Sequence, residues 1–377
     1  MCAFALSKIF RHKSREAVAL MECMDGAAPV FKLTKDELEA VAGPYSGLPS
    51  AIRSVDIDKE AANLEEILRS CRCSYLPYSS PAYPALLKEC PDAPAGLFVK
   101  AADKLGNIFG RSCVAVVGTR DASSYGTSWC GRIVGALSES AKRPTIVSGL
   151  AYGIDIAAHK AALECSLPTI AVLGTGIGRI YPARHCGYAE SIAERPCSAV
   201  VSELPPDQDI NALNFLQRNR IIAGMSEATC LVESRIKGGG MTTARQAASY
   251  SRTVFAVPGR NDDLRSQGCN LLIHEQVAEP LIGCAEMLHS LGYKRRRAEA
   301  GRSCGTFYAG TLDPSRIAVL EKIVSSVKKN PGISLQELEE ALGLSPAGLS
   351  AAASMLESDG FIVVDVLQRC TICRNIS

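Results

Sequence analysis

The sequence lacks most of the features that announce a function directly. Its formal net charge is only +2, from 41 Lys and Arg against 39 Asp and Glu. No whole-molecule field therefore draws a polyanion, and any such site has to be a local patch. No apolar run approaches the roughly 20 residues needed to span a bilayer. Nothing at the start reads as a signal peptide, so a cytoplasmic protein with no membrane role is expected. Of the glycine loops, none fits GxGxxG and none closes with Gly-Lys-Ser/Thr, which disfavours a dinucleotide enzyme and a magnesium-dependent NTPase. Histidine is scarce, at five residues. Cys370 and Cys373 form a CxxC with no second pair or His cluster beside it to complete a tetrahedral zinc site. Neither metal nor cofactor is expected. The sixteen cysteines are scattered through apolar runs, as at Cys113, Cys130 and Cys230, and read as reduced core residues rather than a disulfide framework.

What is present is enough material for more than one core. At 377 residues the length suggests two or three domains, and a 47% apolar content supplies them. Residues 1–107 read as a small N-terminal helical region followed by an irregular segment. Within it, helices are expected over 3–10, 34–40 and 58–70, with Thr34 and Glu37 as a capping box. The Pro- and Tyr-rich stretch 75–101 looks irregular and ends in a strand at 96–100.

From Ser112 the text alternates strand, glycine loop and helix. Strands are expected at 113–117, 145–147, 169–173, 199–202, 229–232 and 253–257. Helices are expected at 125–138, 154–163, 187–194, 218–225 and 242–250. This pattern implies an α/β core over 108–290 built on a doubly wound, mostly parallel sheet, with ligands at the carboxyl ends of the strands. A basic linker, Lys294-Arg295-Arg296-Arg297 with Arg302, falls in 291–312 and reads as a solvated hinge or a phosphate-contacting tail. Residues 313–377 then supply three helices and a hairpin, the layout of a winged helix. Its would-be recognition helix, PAGLSAAASMLES, has no Lys or Arg, which favours contact with protein over duplex reading.

Four loops offer small hydroxyls and backbone N–H groups to an anion: Gly118-Thr119-Arg120, Ser148-Gly149, Gly174-Thr175-Gly176 and Gly238 to Thr243. Several cradles along one sheet edge suit a chain of phosphates better than one compact nucleotide. The cations nearby are Arg120, Arg218, Arg220, Lys237 and Arg245. Phe215 is open to two roles, a base platform or core packing. Arg218 and Arg220 can point to opposite sides, one meeting a ligand while the other pairs with Glu203 or Glu233. Asp155 and His159, at i and i+4 on one helix face, read as a structural pair because no nucleophile or metal set accompanies them.

At these residues the chain resembles the DNA-processing protein A (DprA, or Smf) family. The resemblance rests on VAVVGTR at 114–120 with Ser124-Tyr125-Gly126, VSGLAYGIDIAAHKAAL at 147–163, and TIAVLGTG at 169–176 followed by Tyr181-Pro182. It continues through NFLQRNRIIAGMS at 214–226, TTARQA at 242–247, VFAVPG at 254–259 and GCNLLI at 268–273. YPALLKECPDAPAGLFVK at 83–100 and the terminal winged helix fit as well. The resemblance implies a Rossmann-like single-stranded DNA-binding core, a homodimer and no catalysis. It also implies loading of the RecA recombinase onto single strands in natural transformation, with displacement of single-strand-binding protein. The DNA contacts it implies are Arg120, Ser148, Gly149, Gly174, Thr175, Phe215, Arg218 and Lys237, and Arg220, Gly239 and Thr242 beside them are further candidates. Leu216, where proline is usual, Gly178-Arg179, His185, Gly240-Met241 and Gln276 depart from the family pattern.

A rival from another class is a nucleotide phosphoribohydrolase with the signature PGGxGTxxE. Laid on GGGMTTARQ, that signature puts its catalytic Glu at Gln246, and an amide cannot serve as acid or base. A pure interaction scaffold is the remaining alternative, and it requires the strand-end arginines to be fully paired with Glu203 and Glu233.

Overall fold

The apolar runs of the central region become strands buried on both faces, as a sheet sandwiched between helices requires. A computed structural model describes residues 1–11, 13–43, 46–294, 304–359, 361–365 and 367–372. In chain order the strands are β1 (Ser74–Pro77), β2 (Gly96–Lys100), β3 (Cys113–Gly118), β4 (Thr145–Ser148), β5 (Thr169–Val172), β6 (Ala199–Ser202), β7 (Ala228–Val232), β8 (Thr253–Ala256) and β9 (Glu279–Pro280). They form one sheet in the order β1-β2-β6-β5-β4-β3-β7-β8-β9. Pairing is parallel from β6 to β9, and antiparallel where β2 joins β6 and β1 joins β2. Every residue of β4, β5, β6 and β7 is buried.

Two of these strands were not expected. Residues 74–77 lie where the proline-rich text predicts irregular chain, yet they pair with β2 across the register Ser74↔Val99 to Pro77↔Gly96. As the outermost strand, β1 can end in a proline without breaking an inner ladder. At the other edge β9 is only two residues long and carries no sequence pattern of its own.

No break falls at 107/108. The chain divides into two compact units, Met1–Arg295 and Arg296–Ser377. Helices Cys2–Phe10 and Ser14–Cys23 share a core with the sheet, as Leu6, Phe10, Val18 and Met21 join Leu97, Val99 and Ile221. The helix Lys35–Ala42 has the expected capping box, with the Glu37 N–H donating to Thr34 Oγ1 and the Thr34 N–H to the Glu37 carboxylate.

The second unit contains helices Pro314–Lys329, Leu335–Leu342 and Pro346–Ser358 and a small sheet. Its strands are β10 (Ile333–Ser334), β11 (Ile362–Val364) and β12 (Arg369–Ile372), with β12 in the middle. Ile323, Val327, Leu338, Leu356 and Cys370 form its core. The expected winged helix is therefore present. Cys373 and the linker arginines Arg295, Arg296, Arg297 and Arg302 lie outside the described residues.

Candidate nucleic-acid interface

From β3 the chain runs outward through β4, β5 and β6, then crosses back to place β7 on the other flank of β3. The strand order thus reverses between β3 and β7, and the carboxyl ends of strands at such a switch point diverge to leave a crevice. A cavity of about 680 Å³ lies there, lined by Gly118, Thr119 and Arg120 after β3 and by Arg235 and Lys237 after β7. Gly238, Gly239 and Gly240 at the start of helix Gly239–Ser249 line it too, as do Phe215, Arg218 and Asn219 of helix Ala212–Gly224.

Glycine is required where these walls meet. A Cβ on Gly118 would lie 2.0 Å from the Val232 carbonyl oxygen, and one on Gly240 would lie 3.3 Å from Gly118 Cα. Glu233 ties the two loops together. Its carbonyl accepts the Thr119 N–H at 2.8 Å, and its carboxylate accepts the Ser123 N–H at 2.9 Å together with the Ser123 hydroxyl. Glu233 is accordingly engaged with the cap of helix Ser124–Glu139, and Gly126 leaves room for its carboxylate.

Only two of the four glycine loops open into this cavity. At the second loop, Arg218 lies across Gly149: its guanidinium donates to the Gly149 carbonyl at 2.6 Å and to that of Val172, and a Cβ on Gly149 would be 2.3 Å from it. Ser148 is fully buried, its hydroxyl donating to the Val116 carbonyl at 2.7 Å. At the third loop, Phe215 covers Gly174, and the Pro205 carbonyl sits where a Gly176 side chain would be. Thr175 is 1% exposed and donates to the Arg179 carbonyl. The Ser148 and Thr175 hydroxyls are thus paired within the fold, and Arg218 and Phe215 roof their loops, so these two loops do not line the cavity as the first and fourth do.

The helix bearing Phe215 and the two arginines starts at Ala212, six residues before the expected point, because Asn211 caps it by accepting the Asn214 N–H at 2.9 Å. Leu216 lies in its second turn and is exposed. Successive helical residues turn by about 100°, so Arg218 and Arg220 face nearly opposite ways. Arg218 forms the cavity floor. Burial lowers its pKa to about 10, with Arg120 adding to the fall and Asp155 opposing it. Burial likewise raises the Asp155 carboxyl, against the pull of Arg218.

Arg220 is not at the cavity. It is 3% exposed, donates to both Glu203 oxygens at 2.6 Å, to Ser14 Oγ at 2.9 Å and to the Asp92 carbonyl, and knits the N-terminal helices to the sheet. Burial works against its charge, but Glu203 and Asp92 outweigh that and hold its pKa above the usual value. Its place among the candidate DNA contacts is therefore withdrawn.

His159 bonds through Nδ1 to Thr169 Oγ1 at 2.7 Å, so its structural role is met by a strand threonine instead of Asp155. Lys237 and Gly239 are exposed at the cavity. Thr242 lies one helical turn away, in a shallower depression with Gln246 and Arg245, and Arg245 is paired with Glu275.

Phe215 packs within the fold and still reaches the cavity. It is half-buried over Gly174 while lining the cavity, with the Arg120 guanidinium 5.6 Å from its ring centroid and the Tyr181 ring also at 5.6 Å. Among the described residues Arg120, Arg235 and Lys237 have no carboxylate partner within ion-pair distance, which removes the premise of the pure scaffold. Arg235 and Tyr181 were not singled out as contacts from the sequence, although Arg235 stands two residues before Lys237 and Tyr181 five residues after the third glycine loop.

Fold and site together define a doubly wound α/β protein with a crevice at its topological switch point, lined by aromatic rings and by cations that have no ion-pair partner among the described residues. The chain belongs to the family of the DNA recombination-mediator protein A, whose model matches residues 74–292; a winged helix-turn-helix DNA-binding model matches residues 319–363. Protein Smf of Synechocystis is 39% identical over 222 residues, 58% of this chain and 54% of that protein, so the match spans about half of that relative. The crystal structure of DNA processing protein A from Streptococcus pneumoniae aligns with a TM-score of 0.64 and 29% identity, over 77% of this chain and 99% of that one. DNA processing protein A from Helicobacter pylori, described for its single-stranded DNA binding mode, aligns with a TM-score of 0.52 and 25% identity, over 59% of this chain and 99% of its own.

Proposed function

We propose that this protein binds single-stranded DNA in the switch-point groove and delivers the strand to RecA recombinase. In this reading it acts in the cytoplasm as a homodimer and displaces single-strand-binding protein during recombination of incoming DNA. The observation that carries the binding step is the set of unpaired cations, Arg120, Arg235 and Lys237, around a cavity with aromatic rings on one wall. Cations that track a backbone beside rings that accept any base are the recurring design of sequence-tolerant single-strand binders. The single-strand binding of the Helicobacter pylori relative supports the same reading. The contacts assigned are Arg120, Arg235, Lys237, Phe215 and the Gly239 backbone, with Thr242 at the margin. Ser148, Gly149, Gly174, Thr175 and Arg218 shape the floor beneath them.

Binding rather than catalysis is assigned because Gln246 stands where a phosphoribohydrolase needs its carboxylate. Helix Pro346–Ser358 of the winged unit has no cation, which supports contact with a protein partner over duplex reading. The test is a gel shift of oligo-dT against duplex of equal length, followed by RecA filament assembly on strands coated with single-strand-binding protein. Preferred binding of the single strand and faster RecA assembly are expected. Duplex preference refutes the binding step, and unchanged assembly refutes the delivery step.

A further inference from the structure

The cavity of about 680 Å³ is small beside a nucleic-acid strand, and its rim carries further exposed rings. Phe215 is packed over Gly174, with Arg120 and Tyr181 beside it, and lines the cavity with the rest of its ring. Tyr181 itself is 44% exposed and lines the same cavity. Four residues on, His185 turns back to the loop after β4, its Nδ1–H donating to the Leu150 carbonyl at 2.8 Å and its ring lying 5.1 Å from that of Tyr152. Tyr152, next to the cavity-lining Ala151, is 41% exposed. Two exposed tyrosines thus stand after β4 and β5, Tyr152 against the buried His185 and Tyr181 against Phe215. The neighbouring cations Arg179 and Arg184 are exposed and, among the described residues, have no carboxylate within ion-pair distance. A strand of unpaired bases supplies a π-face for each exposed ring and a phosphate for each unpaired cation on such a rim.

We propose that a single strand leaves the cavity over Tyr181 and Tyr152, each ring stacking on an unpaired base, with Arg179 and Arg184 following its phosphates. This rests on the single-strand reading above and extends it from a pocket to a path with a direction, from the β3–β7 crevice across the ends of β4 and β5. Stacking needs the ring and not the hydroxyl.

Fluorescence anisotropy with a labelled dT20 tests the path. Tyr181→Ala and Tyr152→Ala are each expected to lose about tenfold in affinity, as removal of one stacked base does. Tyr181→Phe and Tyr152→Phe should bind like the unaltered protein, and the salt dependence of all four should be unchanged because no charge is lost. Should the alanine variants bind as tightly as the unaltered protein while Arg120→Ala is weakened, the path is wrong and the pocket reading stands. Failure of the unaltered protein to bind dT20 removes both. Since Tyr181 packs on Phe215, a route that does not depend on folding of a variant is photo-cross-linking of the unaltered protein to bromodeoxyuridine oligonucleotides. Adducts at Tyr181 and Tyr152 support the path, and adducts confined to other faces overturn it.

Discussion

Removal of Arg120 should change the salt dependence of binding by a predictable step. Three cations face the cavity without an ion-pair partner among the described residues: Arg120, Arg235 and Lys237. Each cation that neutralises a phosphate of a single strand releases counterions and contributes about −0.7 to the slope of log affinity against log salt, so for an oligonucleotide short enough to occupy the cavity without reaching Arg179 and Arg184 the three give about −2. Raising salt from about 50 to about 200 mM then weakens binding about 20-fold. In Arg120→Ala the slope falls to about −1.4 and the same change in salt costs only about sevenfold. Arg218 and Arg220 are left out of this sum because their guanidinium groups are already engaged with carbonyls and with Glu203. The assay is anisotropy of a labelled oligo-dT at four salt concentrations with the unaltered protein, Arg120→Ala and Lys237→Ala. A flat salt response in the unaltered protein, or one slope shared by all three, would refute the assignment of these cations to phosphates.

Arg220→Met should destabilise the fold by about 3–5 kcal/mol, because it strands the Glu203 carboxylate beneath the N-terminal helices. Urea denaturation checks this, and adding Glu203→Gln should restore part of the loss. Gly118→Ala should cost at least about 1–3 kcal/mol, since its methyl would meet the Val232 carbonyl on the neighbouring strand; a thermal transition unmoved from that of the unaltered protein would contradict it. His159 is held neutral by burial, with Arg218 and His185 adding to the effect, and its pKa falls from about 6.5 to about 3. Between those values the unfolded chain binds a proton that the native chain does not. Stability is therefore retained above about pH 6.5 and lost as pH falls below it, by about 2 kcal/mol between pH 7 and 5. Urea midpoints at the two pH values measure this loss, and His159→Gln should reduce it.

Much of the architecture was legible because it is written in local chemistry. The runs at 113–117, 145–147, 169–173 and 199–202 are apolar without alternation, which only a strand covered on both faces requires, and each is followed by a helix of surface period. Thr34 with Glu37, and Ser334 with Glu337, are caps whose donors and acceptors lie three residues apart, so no distant contact is needed to form them. Pairing across the chain was not legible. Strand β1 is held by β2 and not by its own propensity, and the N-terminal helices reveal their place only through residues such as Leu6 and Met21 in a core they share with Leu97 and Ile221.

The same division runs through the site. Sequence alone determined that the glycine loops gather at one sheet edge, that Gln246 cannot do a carboxylate's work, and that cations stand near Phe215, since these follow from residue types and from strands that all point one way. Only the tertiary structure decided which groups remain free. Arg218 and Arg220 are chemically alike and two residues apart, yet one floors the groove and the other closes an ion pair 17 residues away in sequence. Ser148 and Thr175 look like phosphate ligands until the Val116 and Arg179 carbonyls are seen to accept the hydrogen bonds of their hydroxyls. Availability depends on which partner lies within about 3 Å in space, and proximity of that kind between distant segments is what folding creates.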